Sequence, residues 1–294
     1  MVKVVDVFLE GRKLLNEAHA AKEKDKEGTL RGGSSGALVG DDVIGTCHRR
    51  SLARMLGFDP PTDESSYDIF DAGFANEALW EEKLVAGWPG EVKFEEEIPI
   101  KWEVNGVTVS GRPDAVLMKD GKPFHGIELK GVFSYNTATS LLYEGDPKTD
   151  NLVQAAHYSW QLGVPYSLIY TYSSIAEPPY WAKKQKNLEW NTKIYPFKKE
   201  FILDWEGDTL YYTIDGNRHE TVITQPSIQD YYELVTNMRD QKDLFTRPSN
   251  KDFKGNKLKW DTCKYCPFQS NCDKYEYEYN AWVDSLEVTC KKGD

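Results

Sequence analysis

The residues best suited to chemistry lie in two short stretches: Asp114 in Gly111-Arg112-Pro113-Asp114, then Glu128 and Lys130 in Glu128-Leu129-Lys130. Residues two apart on a strand share a face, so Glu128 and Lys130 point together while Ile127 and Leu129 turn to the other side. Charged groups on one face of an apolar stretch are costly to bury without partners, and Asp114 on a neighbouring strand supplies one. Two carboxylates, an ammonium and the Leu129 carbonyl make an oxygen-rich site for Mg²⁺ or Mn²⁺, with room for water and a phosphate. In such a site the cation stabilises charge on the phosphoryl group, and Lys130 orients the attacking water or offsets developing charge. The bland alternative is a surface hairpin with scattered charges.

Register tests the idea. A two-residue turn at Asp120-Gly121 with regular pairing puts Asp114 opposite Ile127, on the wrong face. A three-residue connection or a bulge puts it opposite Glu128, and Pro123 favours that irregular form. Two helical features bear on the same chemistry. Glu77 lies on the line Gly73, Glu77, Trp80, Leu84, Trp88, either as a boundary glutamate or as a third metal ligand, with Asn76 its rival. Gln154 and Tyr158 are four apart on one helix face, suited either to ordinary packing or to contact with substrate.

A second constellation is made of thiols. Cys263, Cys266 and Cys272 read C-x2-C-x5-C, and Cys47 stands far upstream. Four thiolates hold zinc or an iron–sulfur cluster, and spacing alone leaves both open. Either centre would fasten the two ends of the chain together across a very long loop. Cys290, in a charged tail, reads as a free thiol. Arg49, Arg50 and Arg54 follow Cys47 as a basic cluster, either a contact for a DNA backbone or ordinary helix-surface charge. His125, His157 and His219 show no metal-ligand spacing.

The elements that must position these groups follow from periodicity. Residues 3–25 and 42–56 have helical patterns, separated by a Gly/Ser-rich stretch at 26–40 that reads as a mobile loop. A third helix is expected over 71–86 and a strand over 92–102. Strands around 107–118 and 124–132 carry the carboxylates, a polar loop covers 133–150, and a helix at 151–162 precedes a strand at 166–172. Short strands at 201–205, 210–214 and 220–223 form a meander, followed by a helix at 227–240. This order gives an α/β fold, a mixed sheet flanked by helices.

Composition sets limits. The chain has 294 residues and a net charge of −11, with a mean hydropathy of −0.61. A globally basic DNA-coating protein is excluded, but a nuclease needs only local positive charge and bound cations. No stretch approaches a membrane span, and neither a signal peptide nor a secreted disulfide framework is evident, so a reducing cytoplasm is expected.

Gly111-Arg112-Pro113-Asp114, Glu128-Leu129-Lys130 and Gln154-Ala155-Ala156-His157-Tyr158 resemble the motifs of the RecB-type branch of the PD-(D/E)XK nuclease superfamily. Cys47, Cys263, Cys266 and Cys272 resemble the [4Fe–4S] clasp of its iron–sulfur members, which include the CRISPR-adaptation nuclease and the AddB nuclease domain. The likeness covers residues 45–275 and leaves out the meander. Many relatives carry a histidine in the first helix motif, where this chain offers Asn76. The resemblance implies a restriction-endonuclease-like sheet whose N- and C-terminal helical segments are clasped by the cluster. It implies one nuclease domain over 1–294: a core at 68–174, an inserted meander at 175–225, and clasp elements at 41–56 and 257–275. The implied activity is Mg²⁺- or Mn²⁺-dependent DNA hydrolysis, commonly exonucleolytic on single-stranded ends, with Asp114, Glu128 and Lys130 catalytic and Gln154 and Tyr158 supporting. Alternatives are a structure-specific or restriction-type endonuclease and a non-catalytic DNA-binding subunit. The compact form suits a virus-encoded enzyme acting in the host cytoplasm.

Overall fold

The computed structural model describes residues 10–12, 14, 28–55, 64–94, 98–184, 191–241, 251–256, 263, 266 and 268. Its first strand, β1 (Leu30–Arg31), leads through a single 3-10 turn to the hairpin β2 (Gly36–Val39) and β3 (Asp42–Gly45), then to helices α1 (His48–Met55) and α2 (Glu64–Gly87). Five strands follow: β4 (Val92–Phe94), β5 (Ile100–Val104), β6 (Val107–Gly111), β7 (Ala115–Lys119) and β8 (Lys122–Gly131). Next come α3 (Tyr135–Thr139) running into a π turn, α4 (Thr149–Leu162), β9 (Tyr166–Tyr172) and the single-turn α5 (Tyr180–Lys183). A meander of β10 (Phe197–Glu206), β11 (Thr209–Ile214) and β12 (Asn217–Thr224) leads into α6 (Gln225–Gln241).

The main sheet has seven strands in the order β12-β11-β10-β9-β8-β7-β4, and β1-β6-β5 form a second sheet of three. Within the main sheet β8 and β9 run parallel, while the other pairs are antiparallel. A parallel pair needs a crossover, which α4 provides between them. β9 is buried along its whole length, so both of its faces must be covered. On one face α4 and the tyrosines Tyr158, Tyr166 and Tyr170 join the large core. On the other, Trp80 and Leu84 of α2 pack on Ala115, Ile127, Leu129 and Ile169. The protein is thus a mixed α/β molecule with helices on both faces of its central strands.

Several elements differ from the sequence pattern. The Gly/Ser-rich stretch is not an open loop, because its small residues permit close packing. A Cβ at Gly36 would lie 2.3 Å from the Tyr231 ring, and one at Gly32 would lie 2.9 Å from that of Tyr158. The helix expected over 42–56 starts only at His48, since Asp42–Gly45 pairs with β2. Residues 92–102 divide between two strands in different sheets. The expected loop at 133–150 contains α3, whose first turn is capped by Ser134. Residues 3–9, 95–97, Cys272 and Cys290 lie outside the described residues, as does most of the clasp segment 257–275.

Candidate active site

The register between β7 and β8 sets the carboxylates opposite each other. Ala115 pairs with Ile127 and Val116 with Gly126, and a bulge falls between Leu117 and Met118. The turn itself stays tight, with Asp120 at φ 51° and Gly121 at φ 72°, the left-handed pair a two-residue hairpin demands. The bulge, opposite the Pro123-Phe124 step, therefore carries the whole register correction. Asp114 faces Glu128, and its Oδ2 accepts a 2.6 Å hydrogen bond from the Leu129 N–H.

Glu128 and Lys130 share the α4 face of β8. Glu128 is 1% exposed, and its Oε1 accepts a 2.5 Å hydrogen bond from Lys130 Nζ. Its Oε2 lies 3.3 Å from the hydroxyl of Tyr166, which also approaches the Ile127 carbonyl at 3.2 Å. The Tyr166 ring fills the space over Gly126, where a Cβ would come within 2.2 Å of it. Tyr158 does the same over Gly111, at 2.4 Å. Its hydroxyl is hydrogen-bonded by the Gln154 side chain and the Arg112 backbone. The two glycines thus explain the local sequence: each makes room for a tyrosine ring, Gly126 two residues before Glu128 on β8 and Gly111 three residues before Asp114 at the end of β6.

Electrostatics follow the packing. Burial, reinforced by the Glu128 carboxylate, holds the Asp114 carboxyl well above the usual carboxylate range; Lys130 and the Leu129 N–H oppose this, and Glu77 adds to it. Burial acts to depress the Lys130 ammonium, but Glu128, Asp114 and more distantly Asp150 outweigh it, so Lys130 stays firmly charged. Burial, then the Glu128 charge, pushes Tyr158 and Tyr166 well above the usual phenol range. Both hydroxyls therefore keep their protons at neutral pH.

The opposite face of β8 is more open. A small cleft there is lined by Glu77, Glu81, Leu84, Phe94, Asp114, Ala115 and Leu129. Glu128 and Lys130 are not in its lining, so Asp114 is the lining residue that also faces the Glu128–Lys130 ion pair. Glu77 projects from α2 into the cleft, and Asn76 beside it is half-buried. Among the described residues no three His, Cys, Asp or Glu side chains stand close enough to enclose a metal ion.

The thiol cluster has its own geometry. Cys47 precedes α1, and the backbone N–H groups of Arg50 and Arg49 point at its sulfur. Burial pushes its thiol up to about 11, the two N–H groups oppose this, and Cys266 and Cys263 add to it. Cys47 thus lies in the field of two thiols that are more than two hundred positions away in sequence. Cys47, Cys263 and Cys266 form no disulfide, and the Cys266 N–H bonds the Cys263 carbonyl at 3.0 Å, the tight turn that C-x2-C spacing favours. Of the basic cluster, Arg49 is buried, while Arg50 and Arg54 are half-buried. Arg49 is therefore not displayed as an open backbone contact.

Tyr166, Asp150 and Glu81 join the site without a signal in the sequence pattern. Tyr166 begins a strand that is apolar and buried on both faces, so no alternation marks it. Only Gly126, in register with it across the parallel pair, hints that a large ring must lie there.

No family model matches the chain, and no curated protein is similar to it. A solved structure described as "Crystal structure of SSO0001" aligns with 88% of this chain and 96% of its own, at 16% identity and a TM-score of 0.41.

Proposed function

We propose that the protein is a divalent-cation-dependent deoxyribonuclease with a restriction-endonuclease-like core, acting on single-stranded DNA ends. The observation that carries this reading is the charge arrangement around Asp114. Its carboxyl lies in the field of Glu128 and Glu77, with Lys130 as the neighbouring ammonium. Buried like charges of this kind are stabilised by a proton or by a cation. The donors are all hard oxygens, which suit Mg²⁺ or Mn²⁺. Asp114, Glu128 and the Leu129 carbonyl would hold the ion, and Glu77, which lines the cleft with Asp114, adds negative charge to the same field. In such a site a divalent cation supplies charge stabilisation at the scissile phosphate and a lowered pKa for water.

The chain's own groups do the rest. Lys130, held charged beside Glu128, orients a water and offsets charge on the phosphate. Tyr166 fixes Glu128, and Gln154 with the Arg112 backbone fixes Tyr158 against Gly111. We further propose a [4Fe–4S] centre on Cys47, Cys263, Cys266 and Cys272. The N–H groups aimed at Cys47 favour a thiolate there, as hydrogen bonds to cluster sulfurs do.

The test is anaerobically purified protein with Mn²⁺ on end-labelled linear and circular single-stranded DNA. Linear DNA should be degraded and circles spared, and Glu128→Ala or Lys130→Ala should lower turnover by at least about a thousandfold while the fold persists. Rapid cutting of circles would move the reading to an endonuclease. Wild-type turnover in both variants would end the active-site assignment.

A further inference from the structure

Because β8 and β9 run parallel, the segments that follow them leave the sheet at the same end. Ligands of α/β sheets gather at such C-terminal ends. Here that end is aromatic. Phe133 is 54% exposed, Tyr180 73% and Trp181 40%. Phe133 lies three residues beyond Lys130, and its ring covers Gly131, where a Cβ would be 2.4 Å away. Gly131 follows Leu129 on the same face of β8, the face that lines the cleft. The Tyr135 ring meets Trp181 edge-on with centroids 6.3 Å apart, and its hydroxyl donates to the Thr192 carbonyl at 2.8 Å. These contacts tie the segment after β8 to the segment after β9.

Positive charge is interleaved with the rings. Lys184 Nζ stands 4.2 Å above the Tyr180 ring, and Lys183 beside it is exposed. Lys193 Nζ lies 5.9 Å from the Tyr195 ring centroid and pairs with Glu177 at 2.6 Å. With Glu177 offsetting Lys193, Lys183 and Lys184 leave the segment after β9 locally positive in a chain of net charge −11. Exposed rings offer faces to bases, and lysines at their margins offer charge to phosphates. A duplex hides its base faces within the stack, so this arrangement selects a single strand.

Building on the nuclease reading above, we propose that Phe133, Tyr180 and Trp181, with Lys183 and Lys184, form a stacking platform for single-stranded nucleic acid that leads to the Asp114 cleft. The experiment is fluorescence anisotropy of labelled oligo(dT) with the full chain in EDTA, where hydrolysis does not interfere. Phe133→Ala and Trp181→Ala should each weaken binding about tenfold, and Phe133→Tyr and Trp181→Phe should restore most of it. Wild-type affinity in the alanine variants overturns the platform. So does a loss that the aromatic replacements fail to rescue, absence of binding by the wild type, or a preference for duplex of equal length. Hydrolysis with Mn²⁺ is scored separately. Ring-dependent binding without hydrolysis would overturn the nuclease reading alone, and hydrolysis with ring-independent binding would overturn the platform alone.

Discussion

The carboxylate site and the thiol cluster both gather buried ionisable groups, but they are assembled in opposite ways. Asp114, Glu128, Lys130 and Tyr166 come from three neighbouring strand segments, and their positions follow from sheet register. Each buried charge already has a protein partner: Lys130 for Glu128, and the Leu129 N–H for Asp114. Cys47 and Cys263 instead lie more than two hundred positions apart in sequence, with no register to bring them together. The sequence separation is also the difference in entropy. Closing a long loop costs more, and only a strong bond between the ends offsets that cost. The carboxylate site is therefore expected to be preformed, whereas the thiol cluster is expected to owe its closure to whatever the sulfurs bind.

The largest expected effect breaks the second half of that contrast. Cys47→Ser should cost nearly as much as Cys263→Ser, because both interrupt the same closure. Both variants should lose the brown colour, fall from about four irons per chain towards zero, and melt well below the wild type. Colourless wild-type protein with stoichiometric zinc would defeat the iron–sulfur assignment and leave the carboxylate site standing. A stable Cys47→Ser variant with full metal content would remove Cys47 from the ligand set.

The next effect probes whether the carboxylate site is preformed. Gly126→Ala puts a methyl group within 2.2 Å of the Tyr166 ring, which must shift inside a packed core. Overpacking of this kind costs about 1–3 kcal/mol, and the shift draws the Tyr166 hydroxyl from Glu128. Thermal stability and turnover should fall together, with metal content of the thiol cluster unchanged. Gly121→Ala is the control of different origin, since its site is open and its cost is backbone strain at positive φ. If Gly126→Ala leaves turnover intact, the tyrosine does not position Glu128.

Much of the carboxylate site was legible because strand alternation is a strong local code. Ile127 and Leu129 reach one core and Glu128 and Lys130 the other, as period two requires. The need for a bulge was legible from the conflict between the Asp120-Gly121 turn and the face of Asp114. What could not be read were features set by close approach between distant elements. Glycines 32, 33 and 36 look like a flexible linker in sequence, yet the missing side chains of Gly32 and Gly36 let the 3-10 turn and β2 press against Tyr158 and Tyr231. Residues 92–102 carry one alternating pattern but serve two sheets, because periodicity does not record where a strand changes partner. His157 is similar: it has no ligand spacing, and it proves to be a fully buried ring held by Ser35 at 2.6 Å and Tyr232 at 2.9 Å. Burial lowers its pKa to about 3, so it serves as a neutral core group that anchors α4.

The smallest expected effect separates positioning from packing. Tyr166 and Tyr170 are both buried on β9 and on the same face, yet their hydroxyls have different partners. That of Tyr166 reaches Glu128 Oε2 at 3.3 Å; that of Tyr170 accepts from the Lys148 N–H at 3.0 Å and donates to Asn151 Oδ1 at 3.0 Å. Removing either hydroxyl leaves a partner less well satisfied, at about 1–2 kcal/mol, so Tyr166→Phe and Tyr170→Phe should lose similar thermal stability. They should differ in chemistry. Tyr166→Phe frees one oxygen of Glu128, so turnover should drop about tenfold and half-saturation by Mn²⁺ should shift to higher concentration, since one carboxylate oxygen is no longer held in place. Tyr170→Phe should leave both quantities within about twofold of wild type, because its hydroxyl secures the start of α4 and not the carboxylate. Equal Mn²⁺ titrations for the two variants would show that the carboxylate holds its position without Tyr166, through Lys130 and the sheet alone.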